Sequence, residues 1–493
     1  MNYILAIDQG TSSTKTVVFD EEGRAVAKSV EPLHTIYMEN GFVEQDPEEI
    51  IQNVLASVAK CLHDFKSRGG GVEYIKACGI SNQRETFVLW DKNGKPLHNA
   101  VVWQCKRSIE ICEGWLKSDY ATLITSKTGL VIDPYFSGTK VQWLVENSES
   151  IKSAVNSGNA YFGTIDTWLL FRLTNGESYF TDLTNASRTL FFDLQSLAWD
   201  DELLQIFGLS SLNLPTLMRS SASFGKTDFM GLLPSTVAIT SLIGDSHAAA
   251  FGEGCFETGN AKATLGTGCS VLMNIGVNPG KSGNGMVSTI CWSTEEKVEF
   301  ALEGVIVSCG ATIEWLRNEL GLFASSQETQ EMADAVADNG GVYLVPAFSG
   351  LGAPHWNMNR KASISGLTFG SGKNHLVRAA LESIPFQIRD VIDAMESDAG
   401  IPLRQLMVDG GISENQFVVQ YLADLLQKPV VNIGQPDVSA LGAAYLAGLK
   451  SGVYKSIEQL SKLNHNKKIF QPSGNTGVAT AYEGWKQAIL NHS

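Results

Sequence analysis

The sequence predicts an α/β protein made of two related domains that face each other. Three observations support this fold class. The chain has 493 residues, which is more than one hydrophobic core usually organises. Strand patterns alternate with helix patterns along it. A strand hairpin with a Gly-Thr tip at residues 3–20 has a counterpart at residues 261–276. We expect domains at residues 1–250 and 251–493, although the short repeat alone leaves coincidence open.

The opening hairpin has an unusual tip. An apolar strand ends at Asp8, and an apolar strand resumes at Val17. Glycine lets the backbone approach a ligand closely, and consecutive amides can form an anion nest. The tip therefore predicts a phosphate cradle, with Asp8 as the anchor of a metal ion. The alternative is that Asp8 only caps its own turn. The tip residues are Gly10, Thr11, Ser12, Ser13, Thr14 and Lys15.

A helix and a strand follow this hairpin. Asp46 suits the N-cap of the helix, and Pro47 suits its first turn. Apolar residues recur at helical spacing as far as Phe65, and the glycines at 69–71 end the pattern. The run Ile75–Ile80 predicts the next strand.

The second half repeats this order. Its hairpin tip is Gly266-Thr267-Gly268. Pro385 lies inside the helix pattern Leu376–Ala399, so we expect a kink or break there. The predicted helices are Leu376–Ala399, Gln416–Leu426 and Ser439–Leu449, and the predicted strands are Leu403–Val408 and Val430–Ile433.

Composition excludes several classes of function. The formal net charge of −15 disfavours non-specific binding to nucleic acid or anionic lipid. The eight cysteines include no Cys-x-x-Cys pair and are expected to be reduced core thiols. No apolar run is long enough to span a membrane, and the N-terminus has no signal-peptide pattern. We therefore expect a cytoplasmic protein.

A second carboxylate stands at the start of an alanine-rich helix pattern. Asp245 follows an apolar strand. An acid at the carboxyl end of a strand, in a cleft between domains, is placed to take a proton from a substrate hydroxyl. The alternative is a helix N-cap.

Arg84 and Glu85 occupy a predicted tight turn, and Trp103 and Tyr135 follow along the chain. Adjacent opposite charges are usually solvated, and aromatic residues are usually core. Together, however, they provide what a small polyol needs, namely charged partners for hydroxyls and a ring against the carbon edge.

Taken together, these stretches resemble the FGGY family of carbohydrate kinases, within the actin-like ATPase superfamily. The resemblance covers nearly the whole chain. It rests on several long motifs in family order: "AIDQGTSS", "SNQRET", "TGLVIDPYFSGTKVQWL", "TNASRTL", "GTGCSVLMN", "ALEGVIVSCGATIEWL", "VPAFSGLGAPHW" and "VDGGISENQF".

The resemblance implies two RNase H-like domains around a central cleft. It also implies transfer of the γ-phosphoryl group of ATP, with Mg²⁺, to a terminal hydroxyl of glycerol. Asp8 would serve the metal, and Asp245 would be the catalytic base and a further metal contact. The family often forms dimers or tetramers, so a homo-oligomer is expected. The residues implied around the nucleotide are Thr11, Ser12, Ser13, Lys15, Gly266, Thr267, Gly310, Glu314, Gly411 and Asn415, and those implied around the polyol are Arg84, Glu85, Trp103, Tyr135, Asp245, Ser246 and Ser270.

Four of these positions depart from the pattern typical of glycerol-specific members. Ser246 stands in place of glutamine, and Ser270 stands in place of phenylalanine. Lys15 replaces arginine, and Glu314 replaces glutamine. The two serines leave room for a longer polyol or a ketose, such as erythritol or xylulose, as an alternative substrate. A third hypothesis is an actin-like nucleotide-binding protein that assembles or signals without phosphorylating a small molecule.

Overall fold

The computed structural model describes residues 2–463 and 467–490. The strands of the first half are β1 (Tyr3–Gln9), β2 (Ser13–Phe19), β3 (Ala25–Pro32), β4 (Ile36–Tyr37), β5 (Val43–Gln45), β6 (Ile75–Asn82), β7 (Phe87–Trp90), β8 (Ala100–Val101), β9 (Tyr161–Thr164), β10 (Phe180–Asp182), β11 (Phe192–Asp193), β12 (Ala198–Trp199), β13 (Thr216–Met218), β14 (Ser221–Thr227) and β15 (Val237–Gly244). Its helices are α1 (Pro47–Ser67), α2 (Ile109–Leu116), α3 (Ala121–Thr128), α4 (Ser137–Asn147), α5 (Glu149–Asn156), α6 (Ile165–Leu173), α7 (Leu183–Ala186), α8 (Asp201–Ile206) and α9 (Asp245–Glu253).

The strands of the second half are β16 (Asn260–Leu265), β17 (Cys269–Gly276), β18 (Val287–Ser293), β19 (Val298–Ile306), β20 (Tyr343–Val345), β21 (Ser363–Ser365), β22 (Gln405–Asp409), β23 (Val430–Asn432) and β24 (Lys468–Phe470). Its helices are α10 (Gly310–Asn318), α11 (Glu328–Asp334), α12 (Lys373–Ala399), α13 (Gln416–Leu426), α14 (Val438–Ser451), α15 (Ile457–Ser461) and α16 (Gly477–Leu490).

The largest sheet of each half is mixed, and the two share a topology apart from the additional strand β18. The first has the order β14-β15-β6-β1-β2-β3, and the second has the order β18-β19-β17-β16-β22-β23-β24. In the first sheet β1 is antiparallel to β2 and parallel to β6, which is parallel to β15. In the second, β16 is antiparallel to β17 and parallel to β22, which is parallel to β23. This repeat confirms the prediction of two related α/β domains.

The helix α1 forms where its capping signals predict it. The Asp46 side chain accepts a hydrogen bond from the Glu48 N–H, and Pro47 occupies the first turn. The buried residues of α1 recur at helical spacing and include Val54, Val58 and Phe65. This apolar stripe packs over β2 and β3, so burial of one face stabilises the helix.

The helix α12 departs from the sequence-based expectation. It runs from Lys373 to Ala399 without a break at Pro385. Proline removes one backbone donor and is costly inside a helix. Here the residues on both sides of Pro385 are buried, from Leu381 to Ile388. Packing of this long buried stretch keeps the two parts of the pattern in one helix, so the expected break is wrong.

Two helices join the halves. The α14 helix, from the second half of the chain, packs against α9 and against β1, β6 and β15 of the first sheet. A hydrophobic cluster at this junction contains residues of both halves, including Ile4, Leu272, Trp292 and Leu441. The two halves therefore share part of their core.

Two composition-based expectations can be compared with the structure. All eight cysteines are buried and unpaired, which confirms the prediction of reduced core thiols. Among the described residues, we find no helix whose length and apolar character would let it cross a bilayer.

Candidate active site

The first hairpin tip lies between β1 and β2. The Gly10 N–H donates to the Ser13 carbonyl oxygen (2.9 Å), which closes the turn. Asp8 and Lys15 are paired across the strands at the base of the tip. Ser12, at the apex, is exposed. The predicted polar tip is therefore present, with its hydroxyl-bearing apex open to a ligand.

The second hairpin tip lies between β16 and β17. The Gly266 N–H donates to the Gly268 carbonyl oxygen (3.0 Å), and Thr267 is exposed at the apex. The first residue of α10, Gly310, donates its N–H to the Gly266 carbonyl oxygen (2.9 Å). A Cβ atom at Gly310 would lie only 2.7 Å from that oxygen. Glycine is needed there so that the start of α10 can approach the tip.

A third glycine-rich turn follows β22. Gly410 has a φ of +85°, and a Cβ atom on it would lie 2.6 Å from the Leu265 carbonyl oxygen. Its neighbour Gly411 faces open space, since a Cβ atom on it would meet no heavy atom within 4 Å. Asn415 caps α13 and donates its side-chain amide to Thr329 Oγ1 (3.2 Å). Backbone from three elements thus meets with few side chains in the way.

Thr11 and Glu314, two further residues implied for the nucleotide, also have protein partners. The Thr11 hydroxyl donates to Gln83 Oε1 (3.3 Å) and accepts the Trp103 indole N–H (2.9 Å). Glu314 forms an ion pair with Arg317, one turn along α10. Thr11 therefore connects the first tip to the aromatic residues of the predicted polyol site.

Asp8 is oriented by side chains rather than by its own turn. Its Oδ1 accepts the Ser81 hydroxyl (2.7 Å), and its Oδ2 lies 3.8 Å from Lys15 Nζ. Lys15 Nζ also lies 3.6 Å from Asp437 Oδ1, and Lys28 Nζ lies 2.6 Å from Oδ2 of the same carboxylate. Burial raises the pKa of Asp8, against the opposing effect of Lys15. The turn-capping alternative for Asp8 is therefore wrong.

Asp245 is the first residue of α9, and Gly244 occupies the N-cap position. Its Oδ1 accepts the Ser246 N–H (2.6 Å) and lies 3.3 Å from Arg84 Nε. Its Oδ2 has no hydrogen-bond partner among the described residues, and 37% of the side chain is exposed. Burial raises the pKa of Asp245, Arg84 opposes this shift, and the Asp8 carboxylate adds to it. The N-cap alternative is wrong, and one carboxylate oxygen is open to a ligand.

Arg84 and Glu85 form the turn between β6 and β7, and both are buried. Arg84 donates through Nη1 and Nη2 to the two carboxylate oxygens of Glu303 on β19 (3.1 and 2.9 Å). Arg188 lies 2.8 Å from Glu303 Oε2 through Nη1 and donates through Nε to Glu85 Oε1 (2.5 Å). Although burial opposes them, Arg188 and Arg84 hold the pKa of Glu303 well below its usual range. These are not solvated surface charges but a buried network between the halves.

The predicted aromatic pair is present beside this network. The rings of Trp103 and Tyr135 meet edge to face, with centroids 5.4 Å apart. The buried Lys140 donates through Nζ to the backbone carbonyl oxygens of Tyr135 (3.0 Å) and Trp103 (3.3 Å). Burial lowers the pKa of Lys140 to about 8. Lys140 thus fastens the two aromatic segments to each other.

The two serines that depart from the family pattern meet across the halves. Ser246 Oγ and Ser270 Oγ are 3.4 Å apart, and Ser270 donates to Glu303 Oε1 (3.1 Å). We call the place where Arg84, Asp245, Ser270 and Glu303 meet the interdomain seam.

The sequence-based reasoning missed three residues of this region. Glu303, Arg188 and Lys140 lie in motifs that the family resemblance includes, but no role was predicted for them. A signal was available for Glu303, because it interrupts an otherwise apolar strand pattern at residues 300–307. A charge in a buried strand needs a partner. The identity of that partner could not be read from the local sequence.

The repeated sheet topology, with a glycine tip in the matching hairpin of each domain, defines an actin-like ATPase fold with two RNase H-like domains. The family profiles agree with this class. The N-terminal domain of the FGGY family of carbohydrate kinases matches residues 3–252, and its C-terminal domain matches residues 261–451. The chain belongs to the FGGY family of carbohydrate kinases, and it is an ATP-dependent phosphotransferase that acts on an alcohol group.

Curated relatives align over nearly the whole chain. Glycerol kinase 2 of Thermotoga maritima is 44% identical, covering 99% of this chain and 98% of the relative. The glycerol kinase of Petrotoga mobilis is also 44% identical, covering 99% and 97%.

Solved structures match over a similar extent. The crystal structure of Plasmodium falciparum glycerol kinase with ADP superposes with a TM-score of 0.94 at 35% identity, covering 100% of this chain and 98% of that one. A ligand-bound xylulose kinase from Lactobacillus acidophilus has a TM-score of 0.87 at 24% identity, covering 98% and 96%. The latter likeness concerns the fold alone.

Proposed function

We propose that this protein transfers the γ-phosphoryl group of ATP to a terminal hydroxyl of glycerol, giving glycerol 3-phosphate. Glycerol is the substrate in the names of the curated relatives that match over nearly the full chain. The observation that carries the proposal is the Asp245 carboxylate, whose Oδ2 is open beside the buried Arg84. A polyol hydroxyl bound at Arg84 would lie within reach of this oxygen.

The polyol would bind along the interdomain seam. Arg84 and Glu85 can hydrogen-bond hydroxyl groups, and their burial strengthens such contacts. The edge-to-face pair of Trp103 and Tyr135 can cover the carbon edge of the polyol. These roles follow from the chemistry of each side chain, from the contact of Arg84 with Asp245, and from the position of Glu85 and Tyr135 against Arg188 in the same network.

The nucleotide would bind between the glycine turns. Backbone amides that meet without intervening side chains suit phosphate oxygens. Gly411 has open space around it, which suits the approach of a flat base. We assign the phosphates and the nucleoside to residues of three turns and one helix, namely Thr11, Ser12, Ser13, Lys15, Gly266, Thr267, Gly310, Glu314, Gly411 and Asn415.

Asp8 and Asp245 are the residues that would hold a magnesium ion. Both carboxylates have a raised pKa, and the Asp8 carboxylate contributes to the shift at Asp245. A divalent cation between them would relieve this repulsion. Among the described residues, no three or more His, Cys, Asp or Glu side chains form a cluster suited to a metal. The two carboxylates of Asp8 and Asp245 are a donor set that suits Mg²⁺, because this ion usually keeps waters and substrate phosphates as its other ligands. When bound, the ion would neutralise charge on the transferring phosphoryl group.

The chemical step needs one proton acceptor. The polyol oxygen forms a bond to the γ-phosphorus while the bond from that phosphorus to the β,γ-bridging oxygen breaks. The hydroxyl proton passes to Asp245 Oδ2, and ADP leaves with the electron pair of the broken bond. Phosphoryl transfer depends more on alignment and charge stabilisation than on covalent chemistry, so the protein mainly positions the reactants.

Replacement of the proposed base tests this function. We expect Asp245→Asn to lower kcat by about 10²–10⁴ because a general base of this kind contributes that much. ATP affinity, measured by calorimetry without metal, should change by less than about twofold, since only the proton acceptor is lost. Asp334→Asn, at the exposed end of α11, serves as the control. Equal loss of transfer and ATP binding would contradict the role of Asp245.

A larger polyol or a ketose is a second candidate substrate. The observation that favours it is the contact between the small side chains of Ser246 and Ser270. Their two hydroxyls would accept hydrogen bonds from the further hydroxyl groups of a longer substrate. A panel of glycerol, erythritol, xylitol and xylulose, compared by kcat/KM, separates the candidates. A kcat/KM for glycerol well below that of a longer substrate would overturn the glycerol assignment.

We also propose, from the sequence and the family, a cytoplasmic homo-oligomer with domains at residues 1–250 and 251–493. Light scattering of the purified protein tests the oligomeric state, and cell fractionation tests the location.

A further inference from the structure

We propose that Glu303 is a positioning residue, supplied by the second half of the chain, which fixes both arginines of the polyol site. The polyol site would then be complete only while the two halves are closed on each other. This inference rests on the proposed polyol kinase function and adds a residue that contacts neither the nucleotide tips nor, in our assignment, the substrate.

Three hydrogen-bond donors and one further guanidinium nitrogen converge on the Glu303 carboxylate. Its Oε1 accepts Arg84 Nη2 (2.9 Å) and the Ser270 hydroxyl (3.1 Å). Its Oε2 accepts Arg84 Nη1 (3.1 Å) and lies 2.8 Å from Arg188 Nη1. Only 1% of the Glu303 side chain is exposed. In such surroundings a carboxylate with several charged donors holds its partners in one geometry.

The contact to Glu303 determines which parts of Arg84 remain available. A guanidinium group has five N–H donors in a rigid fork. Two of them point to Glu303, and Nε faces Asp245 Oδ1 at 3.3 Å. The remaining two are available for polyol hydroxyls. Without Glu303, the end of the fork could turn to pair with both oxygens of Asp245, which would occupy the open Oδ2.

Glu303 is also the carboxylate that both buried arginines share. Arg84 and Arg188 are both buried, and Glu85 faces Arg188 Nε (2.5 Å). In the first half, Asp245 approaches only the Nε of Arg84 (3.3 Å). Loss of Glu303 would leave the outer guanidinium nitrogens of both arginines that face it without a charged partner, which is costly because breaking a buried pair leaves uncompensated charge.

The position of Glu303 links this balance to closure. Arg84 and Arg188 belong to the first half of the chain, whereas Glu303 and Ser270 lie on β19 and β17 of the second sheet. Any opening of the seam removes the carboxylate from both arginines at once. A polyol that binds the fixed form of Arg84 therefore favours the closed arrangement.

The test compares steady-state kinetics of two variants with a control on the same strand. Glu303→Asp keeps the charge but withdraws the carboxylate by one methylene, so it cannot reach both arginines. We expect its KM for the polyol to rise at least about tenfold, with the KM for ATP within about twofold, because only polyol positioning is lost. Glu303→Gln should have a larger effect in the same direction. Glu299→Gln, whose native carboxylate pairs with Lys297, should leave both KM values unchanged.

Thermal shifts supply a second measurement. Polyol should raise the melting temperature of the wild type but not of Glu303→Asp, whereas ATP should raise both. An unchanged polyol KM in Glu303→Asp, or an equal rise in both KM values, would overturn the inference, and Glu303→Asp remains informative if Glu303→Gln does not fold. If the wild type phosphorylates no polyol of the panel, the proposed function itself fails, which is a distinct result.

Discussion

At the scale of single residues, a buried hydrogen-bonded path leads to the proposed base. Asp166 Oδ2 accepts the Asp182 N–H (3.3 Å), and the Asp182 carboxylate accepts the Thr184 hydroxyl (2.9 Å). Thr184 Oγ1 in turn accepts the Gly244 N–H (2.9 Å). Gly244 immediately precedes Asp245, so this path holds the start of α9 in place. Buried polar groups of this kind rigidify a site only when each of them is satisfied.

Asp166 should make stability depend on pH. Burial, together with the nearby Asp182 carboxylate, raises the pKa of Asp166 from 3.8 to about 7. Below pH 3.8 both folded and unfolded states hold this proton. As pH rises from 3.8 to 7, the unfolded state releases it first, so stability is lost across that window. Above pH 7 this group lowers the free energy of unfolding by about 4 kcal/mol relative to its value below pH 3.8.

We expect Asp166→Asn to flatten the decline in melting temperature between pH 4 and pH 7, since the amide has no proton to release. The measurement is a thermal denaturation series at constant ionic strength. Asp119→Asn, in an exposed loop, should leave the decline as in the wild type. Parallel curves for Asp166→Asn and the wild type would contradict the assignment.

At the scale of elements, close helix packing joins the halves. A Cβ atom at Gly442 of α14 would overlap the Ala248 carbonyl oxygen of α9. One at Gly252 of α9 would overlap the Val438 carbonyl oxygen of α14. Small residues on both helices thus allow their backbones to touch, and neither helix can move away without losing the shared core.

Gly442→Ala should destabilise the protein by about 1–3 kcal/mol, because overpacking forces the two backbones apart. Gly114→Ala is the matched control. Gly114 also lies in a helix, but no atom lies within 4 Å of its Cβ position. The control should be neutral or stabilising by about 0.5–1 kcal/mol. The free energy of unfolding of both variants is measured by chemical denaturation. Equal values for the two would show that the contact between α9 and α14 is not tight.

At the scale of the whole molecule, the shared core makes the halves interdependent. The α14 helix belongs to the second half in sequence but covers β1 and β6 of the first sheet. Ile4 and Leu441 lie in one hydrophobic cluster with residues of the second sheet. Separation of the halves would expose this surface to water.

We therefore expect residues 1–253, which end with α9, to lack a cooperative thermal transition when expressed alone, because the face that α14 covers stays exposed. Addition of residues 254–493 should restore the transition. Calorimetry of each fragment and of the mixture is the measurement. A cooperative transition of the first fragment by itself would show that the shared core is dispensable.

Local signals in the sequence were enough for much of the fold. The Asp46 cap, the apolar spacing of α1 and the two glycine tips act over a few residues, so they could be recognised without tertiary information. The α13 helix has the predicted bounds, Gln416–Leu426. The break expected at Pro385 was wrong because burial along α12 outweighs the local cost of proline.

The candidate site was predictable only in part. Asp8 lies near the end of the buried strand β1 and Asp245 follows the buried strand β15, and that placement indicated their importance. Their surroundings depend on contacts between distant segments, such as the bond from Ser81 to Asp8. The same holds for Arg84 and Glu303, which are 219 positions apart.

The sequence by itself determined which segments become strands and helices, where glycine turns stand and which family the chain resembles, because these depend on local chemistry and motif order. Only the tertiary structure decided that Arg84 and Glu85 are buried, that Glu303 and Arg188 balance them, and that one oxygen of Asp245 stays open. A buried charge depends on partners brought close by folding, and their identity is not encoded in its sequence neighbours.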